Sequence, residues 1–426
     1  MRVHRYLRGL LALATASVLA ACGTSGPSAS GTGDITVWAI TGGYNAVFQN
    51  SLQAYDTKHG KHSQLQLFQS DTYKQKIQVT LGSGNPPDVF ENWGGSGLSS
   101  LAQQNLVVDL STTPGLKDRY LPSLLGSATF GGKLYGVPMN GISPGVIFYN
   151  KKIFAQNNVT PPKTFDDLLA LVRTLKGKGV TPFALGGAQR WPQLMFEEYL
   201  IDRVGGDQVI DNILNRVPGA WSDPAVLRAN QLITQLLGEG AFEDGFSSVS
   251  YDTGQSTALL YTGKAGMQLM GAWDYASIKK AAPDFVQNGD LGWFPFPTVA
   301  GGGGDPSNLE GNPANYYSVS AKSKSVPDAL AFLQENVMTP TYINDMLSAG
   351  RTPPVPGIRD QLASRPDAPW NTFVYDLAQN AHHYALSWDQ ALPPGQADTM
   401  LTELSKLFLG QSTPQQFSAA MDKAAA

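Results

Sequence analysis

Trp93, Trp191, Trp273 and Trp388 each stand among polar residues at the end of a segment. Trp93 follows Glu91-Asn92 and precedes Gly94-Gly95. Trp191 follows Gln189-Arg190 and precedes Pro192. Trp273 lies in Gly271-Ala272-Trp273-Asp274-Tyr275, and Trp388 precedes Asp389. A flat aromatic face suits the C–H face of a pyranose ring, while carboxylates, amides and guanidinium groups suit its hydroxyl rim. A single such tryptophan is equally well explained by core packing. Four in loop-like polar settings point to a cleft. The other four read as structural: Trp38 and Trp293 inside apolar strand patterns, Trp221 and Trp370 at helix starts.

Motifs for catalysis are absent. Gly263-Lys264 lacks the earlier glycine of a phosphate loop, no G-x-G-x-x-G opens a helix after a strand, and no H-E-x-x-H occurs. His59 and His62 sit in a polar surface stretch. His382 and His383 are adjacent, so they diverge on a helix and share a metal poorly, and Glu197-Glu198 diverge in the same way. No metal site and no cofactor are expected. A glycosidase needs two carboxylates ~5–10 Å apart across a cleft, and nothing in the chain marks such a pair. The 30 Lys+Arg against 34 Asp+Glu leave no basic footprint for nucleic acid.

The chain has 426 residues, length for two or three domains, and one cysteine, which excludes a disulfide framework. Arg2, Arg5 and Arg8 precede an apolar run from Leu10 to Ala20. That run is too short to span ~30 Å of hydrocarbon and fits a signal h-region. It ends in Leu19-Ala20-Ala21-Cys22, which resembles the lipobox of bacterial lipoproteins. The resemblance implies cleavage after residue 21 and lipidation of Cys22. Residues 23–33 (GTSGPSASGTG) then form a flexible tether. Removing residues 1–21 takes away three Arg and no acid, so the charge moves from −4 to −7.

Short β-like runs alternate with helical patterns, which predicts an α/β sheet with crossovers. Strands are expected at 35–38, 65–67, 88–90, 145–150, 265–270 and 315–320. Helices are expected at 47–55, 73–81, 192–204, 223–237 and 327–338, with the remainder to Ala426 mainly helical. Thr164-x-x-Asp167 reads as a capping box opening another helix. Gly301 to Gly304 reads as a flexible loop, and a break falls near 131–145.

Ordered landmarks run through 34–426: Ile35-Thr36-Val37-Trp38 with Tyr44-Asn45; Tyr73 to Leu81, then Gly84 and Pro87-Asp88-Val89; Leu134-Tyr135-Gly136-Val137-Pro138; Phe148-Tyr149-Asn150-Lys151; Pro161-Lys163-Thr164-Phe165; Gly263-Lys264-Ala265-Gly266-Met267 running to Gly271 and Trp273; and Gly410-x-x-x-Pro414. Together they resemble the extracellular solute-binding proteins of carbohydrate ABC importers, in the broad group of maltose-binding protein. The resemblance implies a two-lobed α/β periplasmic-binding-protein-like fold whose discontinuous lobes are joined by hinge strands around a cleft. On this pattern 34–140 with 313–345 form the first lobe, and 141–312 with 346–426 the second.

The same resemblance implies stacking by Trp93, Trp191 and Trp273, with Trp388 matching loosely, and a polar first-lobe loop at Thr41 to Asn45 including Tyr44. Glu91, Asn92, Asp274 and Arg351 are expected on ligand hydroxyls, followed by Asp71, Asn140 and Tyr317. Thr41-Gly42-Gly43 carries no charged pair and Ser143 has no acid beside it, which argues against maltose. The implied role is capture of a di- or short oligosaccharide, xylobiose-like as a first expectation. Implied partners are ABC permease subunits with their cytoplasmic ATPase. The protein is expected to be a non-enzymatic monomer, lipid-anchored on the extracytoplasmic side of the cell membrane. A lipid-anchored glycoside hydrolase and a receptor for a non-sugar solute remain the alternatives.

Overall fold

The computed structural model describes residues 34–425. The expected signal segment, Cys22 and the expected tether lie outside the described residues. No helix among those described is long and apolar enough to cross a membrane.

Two main sheets organise the chain. The first contains β1 (Thr36–Ile40), β2 (Gln64–Phe68) and β3 (Val89–Asn92), all parallel. Outside these sheets, β4 (Thr129–Phe130) and β5 (Lys133–Leu134) make a small hairpin. The first sheet is completed by β6 (Val137–Pro138) and β12 (Tyr316–Val319), in the order β2-β1-β3-β12-β6. The second is built on β7 (Ser143–Asn150) and β9 (Ala265–Gly271), with β8 (Thr181–Phe183), β10 (Leu291–Phe294), β11 (Leu309–Asn312) and β13 (Tyr384–Leu386) around them. Its order is β13-β11-β7-β9-β8, and β10 also pairs with β7. Seven of the eight β7 residues are buried, as expected of a central strand covered on both faces.

The chain passes between the sheets through two short links, 139–142 and 313–315, and a third time through the helical stretch between β12 and β13. The two short links are bonded to each other, Met139 N donating to Asn315 O at 2.9 Å. Each sheet with its helices is one lobe. Tyr55 of the Asn45–His59 helix packs edge-on to Phe332, 5.8 Å between centroids. In the second lobe Trp370 stacks on Tyr275 at 4.7 Å and 8° and meets Phe148 at 5.2 Å. Trp221 and Trp370 are both fully buried, consistent with structural roles.

The capping box is present. Asp167 N donates to Thr164 Oγ1 at 3.2 Å and Thr164 N to Asp167 Oδ2 at 3.1 Å, opening the Phe165–Gly177 helix. Two local expectations are corrected. Residues 384–386 form β13 rather than helix, because three residues are too few to show a period and their pairing with β11 is tertiary. The four-glycine loop is packed rather than free. A Cβ at Gly302 or Gly304 would lie 2.0 Å from the Arg203 or Asp202 carbonyl oxygen. Gly303 N instead donates to Val204 O at 2.9 Å, satisfying a carbonyl at the end of the Trp191–Gly205 helix.

That helix carries the adjacent acids. Glu197 and Glu198 are fully buried. Neither carboxyl oxygen of Glu197 has a hydrogen-bond partner. Burial pushes Glu197 up to about 8, and Asn230 alongside offsets only part of this. The folded state therefore holds a proton that the unfolded chain releases above ~4.3. Its contribution is complete in acid and lost as pH rises through about 8. Glu197→Gln is expected to leave the melting temperature at pH 5 nearly unchanged and raise it at pH 8.5. A melting scan at both pH values checks this, and an equal effect at the two is the contrary result.

Candidate functional site

A cavity of ≈ 570 Å³ lies between the lobes, within the ~300–1,000 Å³ typical of small-ligand sites. The β1-to-helix loop Ile40–Tyr44, Lys74 and Trp93 line it from the first lobe. Trp191, Tyr251, Thr257, Trp273 and Asp274 line it from the second. Asn140, Ser143, Asn312 and Asn315 line it at the hinge. The lobes are closed around it. Gly43 lies so near the 274–281 helix that a Cβ would meet the Ala276 carbonyl carbon at 2.5 Å. Ser96 Oγ donates to Leu392 O at 2.6 Å across the cleft.

Local backbone aims the tryptophans. Trp93 follows the end of β3, and the next residue, Gly94, has φ 78° with Ser127 O only 2.4 Å from where a Cβ would stand. Trp191 is presented by Arg190, a non-glycine residue at φ 62°. Such a conformation costs of order 1–3 kcal/mol and persists where surrounding contacts enforce it. Here Arg190 is held by Asp398 at 2.9 Å and Thr402 at 2.8 Å. The Trp273 ring folds back over the end of β9, where a Cβ on Gly271 would meet it at 2.0 Å. Trp191 and Trp273 meet with centroids 6.0 Å apart at 57°. Trp273 Nε1 donates to Tyr251 Oη at 2.7 Å.

The structure brings Trp93, Trp191, Trp273, Tyr44, Asn140 and Asp274 to one cavity. The remaining candidates lie elsewhere, for identifiable reasons. Trp388 is fully buried against Trp221, 5.7 Å between centroids, so it is a core residue. Tyr317 points from β12 into the first-lobe core between Phe48 and Phe332. Asn92 spends its amide on Ser318 Oγ at 2.8 Å and Tyr316 O at 3.3 Å, and its oxygen on Gly94 N. Glu91 is buried and accepts from Ile40 N at 2.7 Å and from Asn315 Nδ2, tying β1 to the second hinge link. Burial raises it to about 7.

Arg351 lies behind the cleft, not in it. It is 1% exposed and donates to Asn140 Oδ1 at 3.0 Å, Gly141 O at 3.1 Å and Ser143 Oγ at 2.8 Å. Its guanidinium also lies 4.9 Å from the Tyr44 ring centroid. It pins the first hinge link and backs Tyr44. Asp71, half-buried at the start of the Ser70–Gly82 helix, faces Asp252 of the opposite lobe. Burial raises Asp71, and nearby Lys74 lowers it in part.

Asp274 lines the cavity yet already accepts from Tyr251 Oη at 3.2 Å and Thr257 Oγ1 at 3.1 Å. Burial raises it to about 7. Sequence reasoning missed Tyr251, which stands in the polar stretch Ser247 to Thr253 and meets the criterion that selected the tryptophans. Lys74 and Asp389 were missed too. They pair across the cleft at 2.9 Å, with Lys74 Nζ 5.4 Å from the Trp93 centroid. No local signal links residues 315 apart. Among the described residues no group of three or more His, Cys, Asp or Glu is placed to hold a metal ion.

Two α/β lobes joined by short hinge links and closed on an aromatic cavity define a ligand receptor of the binding-protein class. Residues 41–335 match the family described as bacterial extracellular solute-binding protein, and the chain belongs to that family. It is 29% identical over 314 residues to an ABC transporter extracellular-binding protein of Pyrococcus horikoshii, covering 69% of this chain and 70% of that one. It is 27% identical over 348 residues to the diacetylchitobiose binding protein NgcE of Streptomyces coelicolor, covering 75% and 70%. A solved structure described for xylan utilization by the thermophilic bacterium Caldanaerobius polysaccharolyticus superposes with a TM-score of 0.82 at 28% identity, covering 92% of this chain and 99% of that one.

Proposed function

We propose that the protein is the sugar receptor of an ABC importer, capturing a di- or short oligosaccharide by hinge closure and passing it on without chemical change. The observation that carries this reading is the convergence of three tryptophans from both lobes on one cavity. Its hinge side offers uncharged Asn140, Ser143, Asn312 and Asn315. Flat faces with neutral donors and acceptors suit a neutral polyhydroxylated ring. A ligand touching both lobes binds the closed state better and shifts the population toward it.

Xylobiose is the first candidate, in keeping with the xylan-related neighbour. Diacetylchitobiose is the second, in keeping with the Streptomyces relative. Binding without turnover is favoured because Asp389 is engaged by Lys74 and Asp274 by Tyr251 and Thr257. Glu91 lies behind the cavity wall, bonded to Ile40 and Asn315. Cys22 would carry the lipid that holds the receptor beside its permease and ATPase on the extracytoplasmic face, with the protein acting as a monomer. Calorimetric titration with xylobiose and diacetylchitobiose tests the reading. Saturable binding with no released monosaccharide supports it, and steady hydrolysis of either would replace it with a glycosidase.

Lys74 and Asp389 should help closure. Lys74→Met and Asp389→Asn are each expected to cost about 1 kcal/mol, roughly fivefold in Kd. The wild-type Kd should rise between 20 and 500 mM salt, while both variants lose that dependence. Salt-independent wild-type affinity would remove the pair from closure.

A further inference from the structure

We infer that Tyr251 is a positioning residue, fixing the two second-lobe tryptophans in the mutual orientation that receives the ligand. The inference rests on the aromatic-cleft reading above and adds a residue that acts through others. Tyr251 touches both rings. Its ring meets Trp191 edge-on, with centroids 5.1 Å apart at 81°. Its hydroxyl accepts from Trp273 Nε1 at 2.7 Å and donates to Asp274 Oδ1 at 3.2 Å. The indole N–H can only donate, so the phenol oxygen accepts from it and keeps its own O–H for the Asp274 carboxyl. Thr257 Oγ1 donates to the other Asp274 oxygen at 3.1 Å and fixes the carboxyl at the end of the chain.

The backbone of Tyr251 is held as firmly. Its N–H donates to Gln189 Oε1 at 2.8 Å, and Gln189 Nε2 donates to Ser250 Oγ at 3.2 Å. Gln189 lies two residues before Trp191, so the Tyr251 loop and the start of the Trp191 helix are tied together. Gly186 lets the loop approach, since a Cβ there would stand 2.8 Å from the Tyr251 Cβ. A stacking ring held off its productive angle loses contact with the sugar face, and positioning groups act by preventing that.

The test uses the whole protein with Tyr251→Phe, which keeps the ring against Trp191 and removes only the hydroxyl. In protein carrying 15N-labelled tryptophan, the indole signal that disappears in Trp273→Phe identifies Trp273. In unliganded Tyr251→Phe that signal should move upfield, as an indole N–H does on losing its acceptor. With xylobiose or diacetylchitobiose as probe, Tyr251→Phe should raise Kd about tenfold. In a Trp273→Phe background the same change should have less than a twofold effect. An unmoved Trp273 signal, or a Tyr251→Phe effect equally large without Trp273, overturns the inference. If neither disaccharide binds the wild type, the sugar reading fails, and the unliganded indole signal alone decides the role of Tyr251.

Discussion

Trp273→Ala is expected to weaken oligosaccharide binding by at least about 2 kcal/mol, some 30-fold in Kd, as for a central aromatic contact. The unliganded melting temperature should change little. Trp273 is only partly buried and stands at the end of β9 with its ring toward the cavity. Its one polar contact is the 2.7 Å bond to Tyr251, whose hydroxyl keeps Asp274 when the indole is gone. Calorimetric titration and a melting curve on the same preparation check both halves. A large fall in the unliganded melting temperature would make Trp273 a core residue instead.

Trp388→Ala is expected to do the reverse. Trp388 is fully buried and packs edge-on against Trp221, which in turn meets Phe417 at 5.9 Å. Truncating a buried tryptophan of this kind costs about 3–5 kcal/mol through lost contacts and the cavity left behind. Denaturant unfolding should show that loss without ligand. The backbone bond from Trp388 N to Glu198 Oε1 at 2.7 Å survives truncation, so the 388–391 helix keeps its anchor. The protein that remains folded should therefore bind sugar with an affinity near wild type. Wild-type stability with lost binding would return Trp388 to the cleft. The two substitutions separate a tryptophan that binds from one that packs, although both sit beside an aspartate in sequence.

That contrast marks how far the sequence is legible. The sheet-and-helix order is readable because strands such as Thr36–Ile40 alternate and helices such as Phe165–Gly177 carry a strong apolar stripe and a cap. Trp93, Trp191 and Trp273 were findable because glycine, proline or a polar pair beside each one marks a turn at a segment end. Trp388 carries the same local signature, yet burial depends on what packs over it, and Trp221 is 167 positions away in the chain. Glu91 and Arg351 do not line the cavity, for a related reason. Both are polar residues on the elements that meet at the hinge, and they are bonded to Ile40, Asn315, Asn140 and Ser143. A sequence identifies a donor but not the partner that already occupies it. The Lys74–Asp389 pair joins residues of opposite lobes that are 315 positions apart in the chain.

The sharpest test of the account is a thermal-shift titration of the protein against a panel of neutral xylo-, chito- and gluco-oligosaccharides, with polyamines and short peptides in the same plate. A ligand present at 100 times its Kd stabilises the folded state by about 2.7 kcal/mol. A clear upward shift is expected with at least one oligosaccharide of two or three units, and none with polyamines or peptides. No shift with any sugar, or a shift confined to the polyamines or peptides, would contradict it.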